Sequence, residues 1–279
     1  MSDFRPPAPA SGDIQMPPEG GDTGGPRRKR RRGVMGGALA AIAAALSKLK
    51  FLSVLASVLK LKTLVTMALT VGVYAMAWGW KFALGFVLLI FVHEMGHVIA
   101  MRIEGVPASA PVFIPFVGAL IAMRGRPRDA GVEAVVGIGG PILGSIGAWA
   151  VLAAGLTFDQ PLLAALGHVG IILNLFNLIP VSPLDGGRIA GVFSRVFWVL
   201  GYALGAAALW YTRSPILLIV MVIGLITLIQ RWRHPIPGYY DVPRGRRLAI
   251  ALAYLALIAA LIATLPVGGE LAARAHQAI

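Results

Sequence analysis

The sequence predicts an all-α protein that crosses a membrane about six or seven times, and two observations carry this prediction. Of its 279 residues, 57% are hydrophobic and only 13% are charged, which is far from the composition of a domain with a water-exposed surface. Apolar stretches long enough to span a bilayer also recur between Lys62 and Leu265. We therefore expect an integral, multi-pass membrane protein whose outer surface contacts the lipid bilayer.

Seven apolar segments are candidate spans, and most have the ~17–25 residues that a bilayer requires. They run near Thr63–Trp80, Phe82–Met101, Val132–Leu156, Leu162–Ile179, Ile189–Trp210, Pro215–Ile229 and Leu248–Leu265. The sixth is short for a span. Together they predict a helical bundle that occupies most of the chain.

The part of the chain before the first span has a different composition. Residues 1–32 are rich in proline and glycine and end in the basic run Arg27–Arg32, which predicts a disordered tail. Residues 33–62 are rich in alanine and leucine, but four lysines interrupt them, so we expect an interfacial or short membrane-associated helix. We divide the remainder into a core, residues 63–193, and additional transmembrane helices with a tail, residues 194–279.

The positions of the basic residues, rather than nucleic-acid binding, account for the net charge of +13. Basic residues lie between the apolar segments and in the Arg27–Arg32 run, and such clusters mark cytoplasmic loops. This pattern places the N-terminus in the cytoplasm. The chain has no cysteine, which excludes disulfides and thiolate metal sites and, with the basic loops, favours a prokaryotic inner membrane.

The second span contains the sequence His93-Glu94-Met95-Gly96-His97. Two histidines at positions i and i+4 share one helical face, so both imidazoles can reach one metal ion. Glu94 lies beside them and can act on water at the metal without being a ligand. Zinc lowers the pKa of water, and a carboxylate can then take its proton. The competing interpretation is a polar contact between helices.

A zinc site needs a third protein ligand, and Asp185 is the obvious candidate. Pro180 and Pro183 should break the fourth helix, and Gly186 follows Asp185 to allow a turn. Irregular backbone at membrane depth is tolerated where protein or a wet cavity surrounds it. We expect Asp185 to point into such a cavity. His168 and Asn174, in the same span, are expected to make hydrogen bonds between helices rather than to bind metal.

HEMGH on one span, followed by Asn177, Pro180, Asp185 and Gly186 in an N-x-x-P-x-x-x-x-D-G pattern, resembles the intramembrane site-2 protease family. The resemblance covers the core and implies three core helices and one zinc ion per chain, bound by His93, His97 and Asp185. It also implies that Glu94 is the general base and that Asn177 lies near the oxyanion. No stretch is long enough for the PDZ domain of many relatives, so we expect a minimal member.

Two further segments look like parts of this family. Pro115, Phe116 and Gly118 resemble its re-entrant, partly β loop, which would bind substrate by pairing with it as a strand; an ordinary interfacial loop is the alternative. The glycine-rich run from Gly137 to Gly144 resembles the family's middle core helix, where small residues let helices approach closely.

The resemblance implies cleavage of single-pass membrane proteins within or near their transmembrane helix, such as an anti-sigma factor or a membrane-tethered transcription factor. Two other functions stay open on the sequence alone. One is a regulatory membrane protein that keeps the same scaffold and metal but does not cleave. The other is a transporter with a coincidental HExxH, although internal repeats typical of transporters are not evident.

Overall fold

The structure is a computed structural model that describes residues 61–277 except 117, 122, 124–126, 194 and 234–235. The helices are α1 (Leu61–Trp78), α2 (Trp80–Ile103), α3 (Ala130–Thr157), α4 (Pro161–Asn177), α5 (Asp185–Ala190), α6 (Arg195–Thr212), α7 (Pro215–Arg233) and α8 (Arg244–Gln277). Strands β1 (Val112–Ile114) and β2 (Gly118–Leu120) lie between α2 and α3. The predicted tail, residues 1–32, and nearly all of the predicted interfacial helix, residues 33–62, lie outside the described residues.

Helices α2, α3 and α4 pack against one another and form the predicted three-helix core. Glycine makes the contacts close. A Cβ atom added to Gly96 of α2 would lie 2.1 Å from the carbonyl oxygen of Gly139 in α3, and one added to Gly167 of α4 would lie 2.5 Å from the backbone nitrogen of Leu152. Real Cβ atoms do not approach this closely, so both helix pairs touch backbone to backbone.

The segment that was expected to be partly β is an antiparallel hairpin. β1 pairs with β2 so that Phe113 lies opposite Ala119 and Ile114 opposite Gly118. Phe113 is buried between α1 and α2, whereas Phe116 at the turn is 60% exposed. Phe116 and Gly118 both have positive φ angles, 65° and 106°, which the tight turn requires.

The backbone is irregular between α4 and α5, as the prolines predict. Helix α4 ends at Asn177, three residues before Pro180. Gly186 and Gly187 let α5 lie against this loop, because a Cβ atom on Gly186 would meet the carbonyl oxygens of Leu178 and Ile179 at 2.3 Å. Asp185 therefore starts a short helix that is folded back on the end of α4.

The fifth predicted span, Ile189–Trp210, is wrong as a continuous helix. Ile189 belongs to the six-residue helix α5, and a new helix, α6, begins at Arg195. Hydropathy does not reveal this break, because both parts of the segment are apolar. Ile189 is fully buried in the core, whereas residues of α6 such as Val199 and Leu204 are exposed. A buried turn and a lipid-facing helix have the same apolar composition.

Four of the described helices are long and apolar enough to cross a membrane: α1, α2, α3 and the Arg244–Val267 part of α8. Helix α4 is apolar but one residue short of that length. The six or seven crossings therefore stay a prediction. Helix α8 shares a buried core with α3 and α4, and its Tyr254 donates a hydrogen bond to the carbonyl oxygen of Leu178. The division of the chain at residue 193 also stays a prediction.

We expect Gly167→Ala to lower the thermal stability of the detergent-purified protein, because its methyl group would overlap the backbone of α3. Overpacking of this kind typically costs about 1–3 kcal/mol. Gly72→Ala is the matched control, since a Cβ atom at Gly72 of α1 meets nothing within 4 Å. Thermal melting of both variants in the same detergent tests the contact, and equal melting temperatures would contradict it.

Candidate metal centre

The two histidines of the HEMGH sequence lie on the buried face of α2. His93 and His97 are each 4% exposed, and their rings are 4.9 Å apart, centre to centre. The helical spacing of four residues turns both rings towards α3 and α4. A buried pair of imidazoles needs polar partners, because hydrocarbon offers none.

The ring nitrogens that face away from each other are both held by acceptors. Nδ1 of His93 donates to the side-chain oxygen Oδ1 of Asn174 at 2.8 Å, and Nδ1 of His97 donates to the main-chain oxygen of Val136 at 2.7 Å. A carbonyl oxygen can only accept, so each Nδ1 carries a proton and Nε2 is the ring nitrogen that can bind a metal. The two Nε2 atoms lie 3.2 Å apart, close enough to reach the same metal ion.

Asp185 completes this cluster from the first residue of α5. Its Oδ2 atom lies 3.1 Å from Nε2 of His93, and its Oδ1 atom lies 3.3 Å from Nε2 of His97. Asp185 is 7% exposed, and the guanidinium of Arg188 lies 3.9 Å from its Oδ1 atom. Two ring nitrogens and a carboxylate thus converge on one buried point, and buried polar groups of this kind are retained when they are paired or bind a cation.

The donor set fits zinc. Zinc takes imidazole nitrogen and carboxylate oxygen at about 2.0–2.2 Å in tetrahedral geometry, and the corresponding ligand–ligand separation is about 3.3–3.5 Å. The three separations between His93, His97 and Asp185 are 3.1, 3.2 and 3.3 Å. The acceptors on both Nδ1 atoms are the outer partners that ligating histidines usually have. These residues can therefore hold one zinc ion per chain.

Glu94 is the second carboxylate near the histidines, and its position differs from that of Asp185. It is 6% exposed, and one of its oxygens lies within 4.8 Å of a ring nitrogen of each histidine. Among the described residues, none donates a hydrogen bond to this carboxylate. Asp185 is closer to both Nε2 atoms, so the geometry favours Asp185 as the ligand and leaves Glu94 free to accept a proton.

Glycines of α3 make room for the two rings. A Cβ atom at Gly140 would lie 2.2 Å from Nε2 of His97, and one at Gly144 would lie 3.0 Å from Nδ1 of His93. The glycine run from Gly137 to Gly144 therefore does more than let helices pack, which was the sequence interpretation. It also provides the space that the imidazoles occupy.

The other predicted site residues are Asn177 and three residues of the hairpin. Asn177, at the end of α4, is half-buried, and its amide donates to the carbonyl oxygen of Leu173 at 3.1 Å. Pro115, Phe116 and Gly118 form the turn and the start of β2 in the hairpin. No hydrogen bond among the described residues joins these four residues to the histidines, so their roles stay predictions.

The sequence interpretation missed two partners of the histidines. Asn174 was expected to bond between helices, which is confirmed, but its partner is His93 itself. A polar side chain one turn before Asn177 in an apolar helix is the signal that points to it. The acceptor of His97 is the main-chain oxygen of Val136, which no residue type reveals.

A second polar cluster connects α3, α6 and α7 to the short helix of Asp185. Glu133 of α3 receives two hydrogen bonds from Arg231 of α7, one of them 3.0 Å long, and a third from the hydroxyl of Tyr239. The guanidinium of Arg231 also lies 5.3 Å from the centre of the Trp198 ring. Trp198 in turn donates to the carbonyl oxygen of Gly187 in α5 at 2.8 Å.

Tyr239 lies in the connection between α7 and α8, outside the helices. Burial and the negative charge of Glu133 raise the pKa of the Tyr239 phenol above its ordinary value. The hydroxyl therefore keeps its proton and remains a donor to Glu133 well above neutral pH. The cluster of Glu133, Arg231, Tyr239 and Trp198 thus holds the C-terminal helices against the segment that carries Asp185.

Comparison with known proteins identifies a family that is similar to part of this chain. Residues 81–166, which include both histidines and the glycine run of α3, match peptidase family M50. The match covers less than a third of the chain. Family M50 is the family of the site-2 proteases, so the resemblance carried by the two motifs is confirmed. The match to this family and the apolar helices indicate an integral membrane protein.

Several curated proteins are similar to this chain. The zinc metalloprotease MJ0392 of Methanocaldococcus jannaschii is 30% identical over 157 residues, which is 54% of this chain and 44% of that protein. The putative zinc metalloprotease Rip3 of Mycobacterium tuberculosis is 28% identical over 44% of this chain and 34% of its own length. The chain spans less than half the length of these relatives.

One solved structure is also similar. The site-2 protease from Methanocaldococcus jannaschii has a TM-score of 0.39 and 22% sequence identity over 64% of this chain and 88% of that chain.

We expect purified wild-type protein to contain close to one zinc ion per chain, and His97→Ala and Asp185→Ala to lose most of it. Each substitution removes one of three converging ligands. Metal content by mass spectrometry after desalting in chelator-free buffer is the measurement. His168→Ala is the matched control, because His168 is a histidine of α4 outside the cluster. Zinc retained by Asp185→Ala would exclude it as a ligand.

We expect Glu133→Gln and Arg231→Met each to lower the melting temperature, and the double variant to lower it by much less than the sum. A lone buried charge is costly, whereas removing both partners restores neutrality. The control is the more exposed pair Glu104 and Arg246, with side chains 14% and 34% exposed against 6% and 27% here. Its coupling should be within ~1 kcal/mol. If the coupling energy of Glu133 with Arg231 equals that of Glu104 with Arg246, the prediction that burial strengthens the first pair is wrong.

Proposed function

We propose that this protein is an intramembrane zinc metalloprotease that hydrolyses peptide bonds within or near the transmembrane helix of single-pass membrane proteins. The observation that carries this proposal is the buried cluster of His93, His97 and Asp185 with the Glu94 carboxylate beside it. Ionisable side chains inside an apolar bundle are expensive and mark functional sites. The similarity to curated zinc metalloproteases supports the same chemistry.

Each residue of the proposed site has a distinct task. His93, His97 and Asp185 would hold the zinc ion, which would supply Lewis-acid activation of water and of the scissile carbonyl. Glu94 takes the proton of the attacking water and gives it to the leaving amine, so one carboxylate serves as base and then as acid. Asn177, one turn after Asn174, is proposed to donate from its amide to the oxyanion.

The hairpin is proposed to bind the substrate as an added strand. Side chains of α1 make hydrogen bonds to the β1 side of the hairpin, which leaves the outer edge of β2 for the substrate. The hydroxyl of Thr63 donates to the carbonyl oxygen of Pro111 at 2.8 Å, and that of Thr66 accepts from the backbone nitrogen of Phe113 at 3.2 Å. At the turn, the backbone nitrogen of Phe116 donates to the hydroxyl of Tyr74 at 2.9 Å. These three bonds fix β1 and the residues next to it against α1.

The outer edge of β2, Gly118–Leu120, has no strand partner among the described residues. An extended substrate that pairs there gains main-chain hydrogen bonds regardless of its sequence, and its side chains then determine specificity. Because a transmembrane helix must unwind before it can pair in this way, substrates with helix-destabilising residues near the cut are favoured. Pro115, Phe116 and Gly118 set the position of this edge.

The substrate class follows from the family resemblance and from the membrane location. An anti-sigma factor or a membrane-tethered transcription factor is the proposed kind of substrate, released from a prokaryotic inner membrane by regulated proteolysis. The N-terminus is proposed to be cytoplasmic, because the basic clusters then lie on one side of the bilayer.

We expect Glu94→Gln to abolish cleavage while leaving zinc content unchanged. Loss of a general base typically lowers the rate by about 10²–10⁴-fold. The measurement is gel-detected cleavage of single-pass model proteins with a central Gly-Pro pair, reconstituted with the enzyme in liposomes, and His168→Ala serves as the active control. Wild-type protein that holds zinc but cleaves none of these substrates would instead support a non-proteolytic metal-binding regulator.

A further inference from the structure

We propose that Asn174 is a positioning residue that holds the His93 imidazole in its metal-binding orientation, so that zinc affinity depends on this one amide. The side chain of Asn174 is 2% exposed and lies on α4, whereas both histidines lie on α2. It does not contact the point where the metal would bind. Its influence on the metal therefore passes through the ring of His93.

Two hydrogen bonds determine which atom of the Asn174 amide faces His93. The Nδ2 atom of Asn174 donates to the carbonyl oxygen of Gly170, one turn earlier on the same helix, at 2.8 Å. The oxygen Oδ1 must then face His93, where it accepts from Nδ1 at 2.8 Å. Since the proton is held on Nδ1, the lone pair of Nε2 is available for a metal.

The two histidines depend on different kinds of partner. His97 is oriented by the main-chain oxygen of Val136, which survives any side-chain substitution at that position. His93 is oriented by a side chain and is therefore vulnerable to a single substitution. The same helix leads through the loop after Asn177 to Asp185, so Asn174 also joins the segment that supplies the carboxylate to the helix that supplies the imidazoles.

Packing around Asn174 excludes a loose fit. A Cβ atom at Gly144 of α3 would lie 2.4 Å from Oδ1 of Asn174 and 3.0 Å from Nδ1 of His93. The amide is therefore confined between α2 and α3, and a side chain larger than asparagine would not fit without a shift. Leucine has this branched shape but no acceptor, whereas aspartate keeps an acceptor oxygen.

The test is the zinc affinity of purified protein, measured by competition with a chelator of known affinity, in Asn174→Leu and Asn174→Asp. Asn177→Leu is the matched control, since Asn177 makes the same bond to the carbonyl four residues earlier but no contact with either histidine. The absorption spectrum of the cobalt-substituted protein reports the ligand geometry in each variant, independently of any proteolysis.

We expect Asn174→Leu to weaken zinc binding by about 10–100-fold, which is the usual effect of losing an outer partner of a ligating histidine. Its cobalt spectrum should change, while Asn174→Asp and Asn177→Leu keep affinities within a few-fold of wild type. If Asn174→Leu has no cooperative thermal transition, Asn174→Ala replaces it, because it removes the acceptor without adding bulk.

Three outcomes would overturn the proposal. One is wild-type zinc affinity in a folded Asn174→Leu protein. Another is an equal loss in Asn174→Leu and Asn177→Leu, which would assign the effect to the packing of α4. The third is a folded Asn174→Asp protein that binds zinc as weakly as Asn174→Leu. Because zinc binding is measured directly, each result is separate from whether the protein cleaves a substrate.

Discussion

The meeting of two imidazole nitrogens and one carboxylate inside an apolar bundle is the interaction on which the rest of the structure depends. His93, His97 and Asp185 are each less than a tenth exposed, and their metal-facing atoms lie 3.1–3.3 Å apart. Left without a cation, such an arrangement is costly. The surrounding fold must therefore hold the groups together and supply hydrogen-bond acceptors to the outer nitrogens of both rings.

Two features of the fold meet this requirement. Glycines bring α2 within backbone contact of α3, so that the main-chain oxygen of Val136 and the amide of Asn174 reach the outer nitrogens of the two rings. The irregular segment after α4 returns Asp185 to the same point, and Trp198 and Arg231 connect that segment to the C-terminal helices. The helices after the core thus take part in positioning a proposed ligand.

Much of this could be read from the sequence because it depends on local pattern. The i, i+4 spacing of His93 and His97, the prolines that end α4 and the glycines of α3 each fix a local geometry. The break between α5 and α6 could not be read, since buried turns and lipid-facing helices are equally apolar. The hydrogen-bond partners of the two rings could not be predicted either. His97 bonds to a main-chain oxygen, which no residue type indicates, and Asn174 contacts His93 only because α4 packs against α2.

The sequence by itself determined the class of protein, the two motifs and the kind of metal that their side chains suit. Residue type and spacing are sufficient for this, because hydropathy, helical periodicity and ligand chemistry are properties of short segments. The tertiary structure decided that Asp185 lies closer than Glu94 to both histidines, that the amide of Asn174 accepts from His93, and that, among the described residues, β2 has no second strand partner. These are contacts between segments far apart in the chain, and only helix packing brings them together.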